Sequence, residues 1–405
     1  MSHLNETPKG ERLQIVFLGR RNVGKSSLIN AFTSQELSIV SPVAGTTTDP
    51  VQKSMELLCL GPVTVVDTPG LDDEGELGLQ RVEKTRQMLK KADLAVVVLD
   101  ATAPLCPLEE ALMKTLTGEK IPFVTVYNKA DLLENVPAAQ GGSIYLSARE
   151  GTNIPALREM VASLKPQKEE RKLVRDLVSP GDTVVLVCPI DASAPKGRLI
   201  LPQQMVLRDL LDAGVTALVC RDTELSQTLA LLKAPPKLVI TDSQVFGKVM
   251  KIVPETVGLT SFSILMARYK GSLRQSVLGA KAAERLRDGD KVLIAEGCTH
   301  HRQCQDIGTV KIPRHLEERY GVKPQLTFTS GGTFPEDLGE FRLVIHCGGC
   351  MLTEKDVQTR MEACKQQGVP VTNYGVFLAN VNGILDRSLA PLPEHASFVE
   401  NPSDL

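Results

Sequence analysis

The chain has 405 residues, of which 42% are hydrophobic and 23% charged, with a formal net charge of −2 and a pI of about 6.4. Such a length implies two or three domains, and such a composition a folded globular chain, neither disordered nor fibrous. Near-neutral charge, 4% aromatic residues and no Trp argue against a basic field or a base-stacking platform for nucleic acid, and no apolar stretch is long enough to span a bilayer.

The opening MSHLNETPKGERLQ is polar and has no hydrophobic signal core. Nine Cys, an odd number dispersed over the chain, do not form a secreted disulfide framework. A cytoplasmic protein without a nucleic-acid or membrane partner is expected.

A first domain is expected over residues 1–170. LQIVFLG reads as a buried strand, and GRRNVGKSS follows it directly, matching G-x-x-x-x-G-K-[ST] with Gly19, Gly24, Lys25 and Ser26. The backbone of Asn22, Val23, Gly24 and Ser27, with the helix that begins there, wraps a polyphosphate. Lys25 reaches the β- and γ-phosphates, and the Ser26 hydroxyl binds Mg²⁺. Thr46, Thr47 and Thr48 lie in a loop where a second Mg²⁺ ligand is needed, and Thr47 is the choice. VTVVDTPG ends a strand with Asp67, suited to hold Mg²⁺ through water, and Gly70, whose N–H meets the γ-phosphate.

FVTVYNKAD ends another strand with Asn128, Lys129 and Asp131. A carboxylate there accepts from guanine N1–H and its exocyclic amine, donors that adenine lacks on that edge. IYLSARE adds Ser147 and Ala148 as the last base-contacting loop. Five motifs in this order predict a GTPase, with Lys25, Thr47 and Gly70 as its catalytic groups. The domain resembles bacterial G domains of the Era and MnmE branch. Leu71 follows Asp67-Thr68-Pro69-Gly70 where Ras-like proteins carry the Gln that orients water. By the same resemblance Asn22 helps bind an activating K⁺, which implies slow hydrolysis stimulated by K⁺.

A middle domain is expected over 171–260, after the charged stretch KPQKEERKLVRDLVSPGD. TVVLVCPI, GVTALVC and PKLVIT read as short buried strands, with helical patterns LPQQMVLRDLLDAG and DTELSQTLALLK between them. This predicts a small parallel α/β sheet. Cys188 and Cys220 sit in apolar runs as small core residues, and Lys196 and Arg198 lie in a loop.

The third domain is expected over 261–405. SFSILMARYKGSLRQSVLGAKAAERLRDGD reads as one long amphipathic helix ending near Gly289. VLIAEGCTH and RLVIHCGGC are buried strands that each run into a loop carrying ligand-type residues. Written out, the pattern is Cys-x-His, 45 residues, then His-Cys-x-x-Cys. Strand ends of an open parallel sheet are where ligands bind, so Cys298, Cys347 and Cys350 are expected to converge, with His300 or His346 beside them. Three thiolates and one imidazole suit structural Zn²⁺ and suit an Fe–S cluster equally. His301 and His315 fit no ligand spacing, and Cys304 ranks below the other three thiols.

Taken together, the Era/MnmE-like G domain, the KGRLILPQQ segment and the Cys-x-His … His-Cys-x-x-Cys pattern resemble the FeFe-hydrogenase maturation GTPases, the HydF scaffold family. The resemblance covers nearly the whole chain. It implies an α/β fold in three domains: a Rossmann-like P-loop GTPase domain, a dimerising middle domain and a domain holding a 4Fe–4S cluster on Cys298, Cys347 and Cys350. His300 and His346 are then candidates for the exchangeable fourth position. GTP or GDP, Mg²⁺ and a transient diiron subcluster precursor would be the ligands. Radical-SAM maturases, apo-hydrogenase and a second copy of the chain would be the partners. Two other readings stay open: a tRNA- or ribosome-associated GTPase, and a regulatory GTPase with a structural zinc domain.

Overall fold

The computed structural model describes residues 12–34, 51–57, 60–68, 88–89, 92–138, 141–164, 173–190, 199–297, 306–331, 333–350 and 352–399. The chain separates into two compact units, Met1–Glu169 and Glu170–Leu405.

The first unit is built on a six-stranded sheet in the order β2-β3-β1-β4-β5-β6. Its strands are Leu13–Leu18 (β1), Val51–Leu57 (β2), Gly61–Asp67 (β3), Leu94–Asp100 (β4), Phe123–Asn128 (β5) and Ser143–Tyr145 (β6). All neighbours run parallel except β2 against β3. Strands such as LAVVVLD are apolar at nearly every position because helices cover both faces of the sheet. Lys25–Thr33 (α1) and Ile154–Ser163 (α3) share one core with Ile15, Phe17 and Val96, while Pro107–Gly118 (α2) packs Leu112 and Leu116 with Val97 and Leu99 on the other face.

The second unit holds two parallel four-stranded sheets. One has the order β10-β9-β7-β8, from Thr183–Val187 (β7), Thr216–Cys220 (β8), Leu238–Thr241 (β9) and Gly258–Ser261 (β10). The sequence predicts only the first three of these. GLTS is short and half polar, yet Thr260 and Ser261 are fully buried, and the Ser261 Oγ accepts the Ile264 N–H to cap the next helix. Leu201–Asp212 (α4) and Leu225–Ala230 (α5) fulfil the helical patterns between strands. Lys196 and Arg198 lie outside the described residues.

The single long helix expected over 262–289 is in fact two. Phe262–Tyr269 (α6) ends at Lys270, Gly271 takes a left-handed φ of 72°, and Leu273–Ala282 (α7) starts anew. A glycine just past the last turn closes a helix by that backbone state, and the periodicity on either side hides the break.

The other sheet has the order β12-β11-β13-β14, from Lys291–Ala295 (β11), Gln325–Thr329 (β12), Leu343–His346 (β13) and Val371–Asn373 (β14). Ile312–Tyr320 (α8), Glu354–Gln366 (α9) and Tyr374–Val381 (α10) accompany it. Val376 and Ala379 of α10 join the same core as Val185, Ile240 and Leu259 of the first sheet, so the two sheets share a helical layer. The contacts in that layer are backbone-close: a Cβ on Gly279 would stand 2.1 Å from the Val371 carbonyl oxygen. Strands β11 and β13 are neighbours, Ala295 pairing with His346, so both end at the same side of the sheet.

Candidate nucleotide and metal sites

The loop between β1 and α1 has the backbone of an anion cradle. Asn22 (φ 61°) and Gly24 (φ 88°) are left-handed, and α1 begins at Lys25. A Cβ on Gly19 would come within 2.3 Å of the Val98 carbonyl oxygen, and one on Gly24 within 2.3 Å of Asn128 Nδ2. Only glycine fits either place. Lys25 is buried, its Nζ donating to the carbonyls of Gly19 (2.9 Å) and Arg20 (2.7 Å), which holds the ammonium over the loop. The Ser26 Oγ donates to Asp67 Oδ2 at 2.8 Å, so the two Mg²⁺-type groups already face one another. Ser27, next on the helix, is exposed.

The base-reading loops are joined to this cradle. Asn128 Nδ2 donates to the Val23 carbonyl (2.8 Å), and its Oδ1 accepts the Ala148 N–H (3.0 Å). Lys129 is left-handed (φ 67°) and its Nζ meets Asp100 Oδ2 at 2.5 Å. Asp131 stands exposed in the following turn, and the buried Ser147 Oγ accepts the Glu150 N–H. Thr47 and Gly70 lie outside the described residues. Sequence reasoning missed Glu109, which is 1% exposed on α2. It binds Arg20 Nε at 2.7 Å and the Cys106 N–H at 3.0 Å, tying the phosphate loop to a helix across the sheet.

At the edge of the second unit the chain leaves β11 through Glu296 and Gly297. The Gly297 N–H donates to Cys347 Sγ at 3.0 Å, and the Gly349 N–H approaches the same sulfur at 3.4 Å. The next residue after Gly297 is Cys298, which with His300, His301 and Cys304 lies outside the described residues. No cluster of three metal-ligating side chains occurs among the described residues. Burial raises the Cys347 thiol above its ordinary value, against the two N–H donors that favour the thiolate. Two backbone donors converging on one sulfur suit a thiolate that binds a metal. Cys350 is half-buried three residues on. Among the core thiols, Cys188 and Cys364 are pushed up to about 12 by burial, and Cys220 is raised for the same reason.

His346 is 1% exposed, and both its nitrogens are engaged. A carbonyl can only accept, so Nδ1 donates to the Cys347 carbonyl (2.7 Å), and Nε2 accepts from the Arg360 guanidinium (2.9 Å). Burial, then the Arg360 charge, lowers the imidazole to about 4, so the ring is neutral. No lone pair is left for a metal in this arrangement. In this arrangement His346 is a brace under the Cys347 loop. Arg360 completes that brace, lying 5.1 Å over the Phe334 ring and donating to the Gly331 carbonyl (3.0 Å). Lys270, also unforeseen, is 2% exposed, and its Nζ donates to the carbonyls of Gly349 (2.5 Å) and Leu352 (3.0 Å).

Comparison with known proteins separates the two units. Residues 14–129 match the family model described as 50S ribosome-binding GTPase. The tRNA modification GTPase MnmE of Bordetella petrii is 36% identical over 173 residues, covering 41% of this chain and 37% of that protein. GTPase Der of Sulfurimonas denitrificans is 41% identical over 123 residues, 30% of this chain and 25% of that protein. The chain thus spans between a quarter and little more than a third of the length of these curated relatives. Aquifex aeolicus Era bound to GDP·AlF4− shares 22% identity at a TM-score of 0.35, covering 51% of this chain and 91% of that one. Residues 173–271 match the hydrogen maturase F dimerization domain, and residues 274–391 the hydrogen maturase F tetramerization domain. With a GTPase domain before these two, the chain belongs to the hydrogen maturase F (HydF) family of hydrogenase-maturation GTPases.

Proposed function

We propose that this GTPase is an iron–sulfur scaffold that holds the diiron subcluster precursor of FeFe-hydrogenase and passes it to the apo-enzyme. Residues 1–170 would bind GTP, 171–260 form the dimer and 261–405 carry the cluster. The observation that carries the reading is the 3.0 Å bond from Gly297 N–H to Cys347 Sγ, since Gly297 is covalently followed by Cys298. Cys298, Cys347 and Cys350 are the proposed ligands, with His300 as the candidate for the fourth. A 4Fe–4S cluster on three thiolates supplies one iron with an exchangeable position, as a carrier requires. The chain's own contribution is the pair of N–H donors on Cys347 and the His346–Arg360 brace beneath it.

In the G domain, Gly19, Asn22, Val23, Gly24, Lys25, Ser26 and Ser27 would hold the phosphates. Ser26, Thr47 and Asp67 would hold Mg²⁺, and Asn22 a K⁺. Asn128, Lys129, Asp131, Ser147 and Ala148 would hold guanine. Gly70 and Thr47 would sense the γ-phosphate, ordering loops that GTP hydrolysis releases. Radical-SAM maturases and apo-hydrogenase are the proposed partners, in a cytoplasmic homodimer.

Anaerobic iron and sulfide quantification on wild type, Cys298→Ser and Cys347→Ser tests the reading. Iron with matching sulfide in wild type, lost in both variants, is expected. Zinc without sulfide would replace the scaffold by a regulatory GTPase with a structural metal.

A further inference from the structure

The most enclosed cation near the thiols belongs to neither ligand loop. Lys270 stands at the C-terminal end of α6, inside the segment that matches the dimerization domain. Its Nζ reaches across to Gly349 and Leu352, in the segment that matches the tetramerization domain. Those two carbonyls bracket Cys350. They also belong to one turn: Gly349 is left-handed (φ 60°), and the Leu352 N–H closes onto the Gly349 carbonyl at 3.0 Å. Thr353 then caps α9, accepting the Asp356 N–H at 3.0 Å, so the turn is fixed downstream as well.

We propose that Lys270 is a positioning residue for the metal site, holding the Cys350 turn by its carbonyls and setting a buried positive charge beside an anionic metal–thiolate group. The first action is geometric: one ammonium bridging two carbonyls three residues apart fixes the direction in which the intervening Cys350 leaves the backbone. The second is electrostatic: in a water-poor site a cation favours the more negative state of a neighbouring cluster. Because α6 packs Phe262, Leu265 and Met266 into the core of the β7–β10 sheet, this contact also links the dimer-forming sheet to the metal loop. The inference rests on Cys347 and Cys350 being metal ligands.

Lys270→Gln and Lys270→Met separate the two actions, since Gln keeps amide donors for the carbonyls and loses only the charge. Full-length proteins are reconstituted anaerobically with iron and sulfide, and three quantities are read. They are the rate of iron loss to a chelator, the midpoint potential of the cluster, and the rate of Cys350 alkylation in unloaded protein. Lys270→Met is expected to lose iron about tenfold faster than wild type, the scale seen when groups supporting a metal ligand are removed. Both variants are expected to shift to lower potential, and only Lys270→Met to change Cys350 alkylation. Wild-type values for all three readouts in Lys270→Met overturn the proposal. If Lys270→Met does not fold, an unshifted potential in Lys270→Gln overturns the electrostatic action. If wild type binds no iron or sulfide, the scaffold reading fails, and the alkylation rates still decide whether Lys270 positions the turn: a changed rate in Lys270→Met upholds it and an equal rate overturns it.

Discussion

Single residues decide most of what the two sites can do, and they differ in how openly the sequence announces them. Gly19, Gly24 and Lys25 were legible because a phosphate cradle needs close backbone approach and one reaching cation at fixed offsets along the chain. Lys270, Arg360 and Glu109 were not, because a lone charge on a helix reads as solvent-facing until the fold encloses it. Asn22 connects sequence to a measurable property. It is exposed and left-handed in the phosphate loop, and by resemblance to MnmE-like G domains it is the proposed K⁺ contact. GTP hydrolysis is therefore expected to run faster in K⁺ than in Na⁺ at equal ionic strength, and Asn22→Ala to remove the difference; equal wild-type rates in the two salts refute it.

Asp100 gives a pH prediction at the same scale. Burial tends to raise its carboxyl, but hydrogen bonds from Lys129 and Thr102 and the Lys129 charge outweigh that and hold it below its ordinary 3.8. The unfolded chain therefore binds the proton more readily, and the stability from this pair is present above about pH 4 and lost as the pH falls below it. In urea titrations across the acid range, Asp100→Asn should flatten that part of the stability curve. An unchanged acid limb would count against the pair.

Among elements, the buried strands β1, β3, β7, β9, β11 and β13 were read correctly because β-branched apolar runs leave few alternatives. What escaped were β2, β4, β10 and the break between α6 and α7. Four residues with two polar side chains carry no periodic signal, and a helix that turns a corner keeps its apolar spacing on both sides. The shared helical layer was also invisible, since it depends on which helices lie over which strand. Gly279 shows how tightly that layer closes on β14, where a methyl group would collide with backbone, which cannot yield as a side chain can. Gly279→Ala is expected to destabilise the second unit by about 3 kcal/mol. A melting temperature for that unit within a degree of wild type would show that the helix shifts without cost.

For the whole molecule, the division into Met1–Glu169 and Glu170–Leu405 predicts two unfolding transitions. Ligand binding stabilises only the state it binds, by about 2.7 kcal/mol at a hundredfold excess over Kd. A non-hydrolysable GTP analogue with Mg²⁺ should then raise one calorimetric transition and leave the other in place. A matched rise in both would reveal energetic coupling between the two units.

The side-by-side pairing of β11 with β13 also bears on how such proteins vary. The starts of the two loops are set there by hydrogen-bonded register between adjacent strands, not by how many amino acids lie between them. An insertion in the stretch that holds α8 and β12 would bulge outward and leave Gly297 beside Cys347. Relatives with a longer or shorter gap can thus keep the same strand pairing, and any search pattern that insists on 45 intervening residues will overlook them.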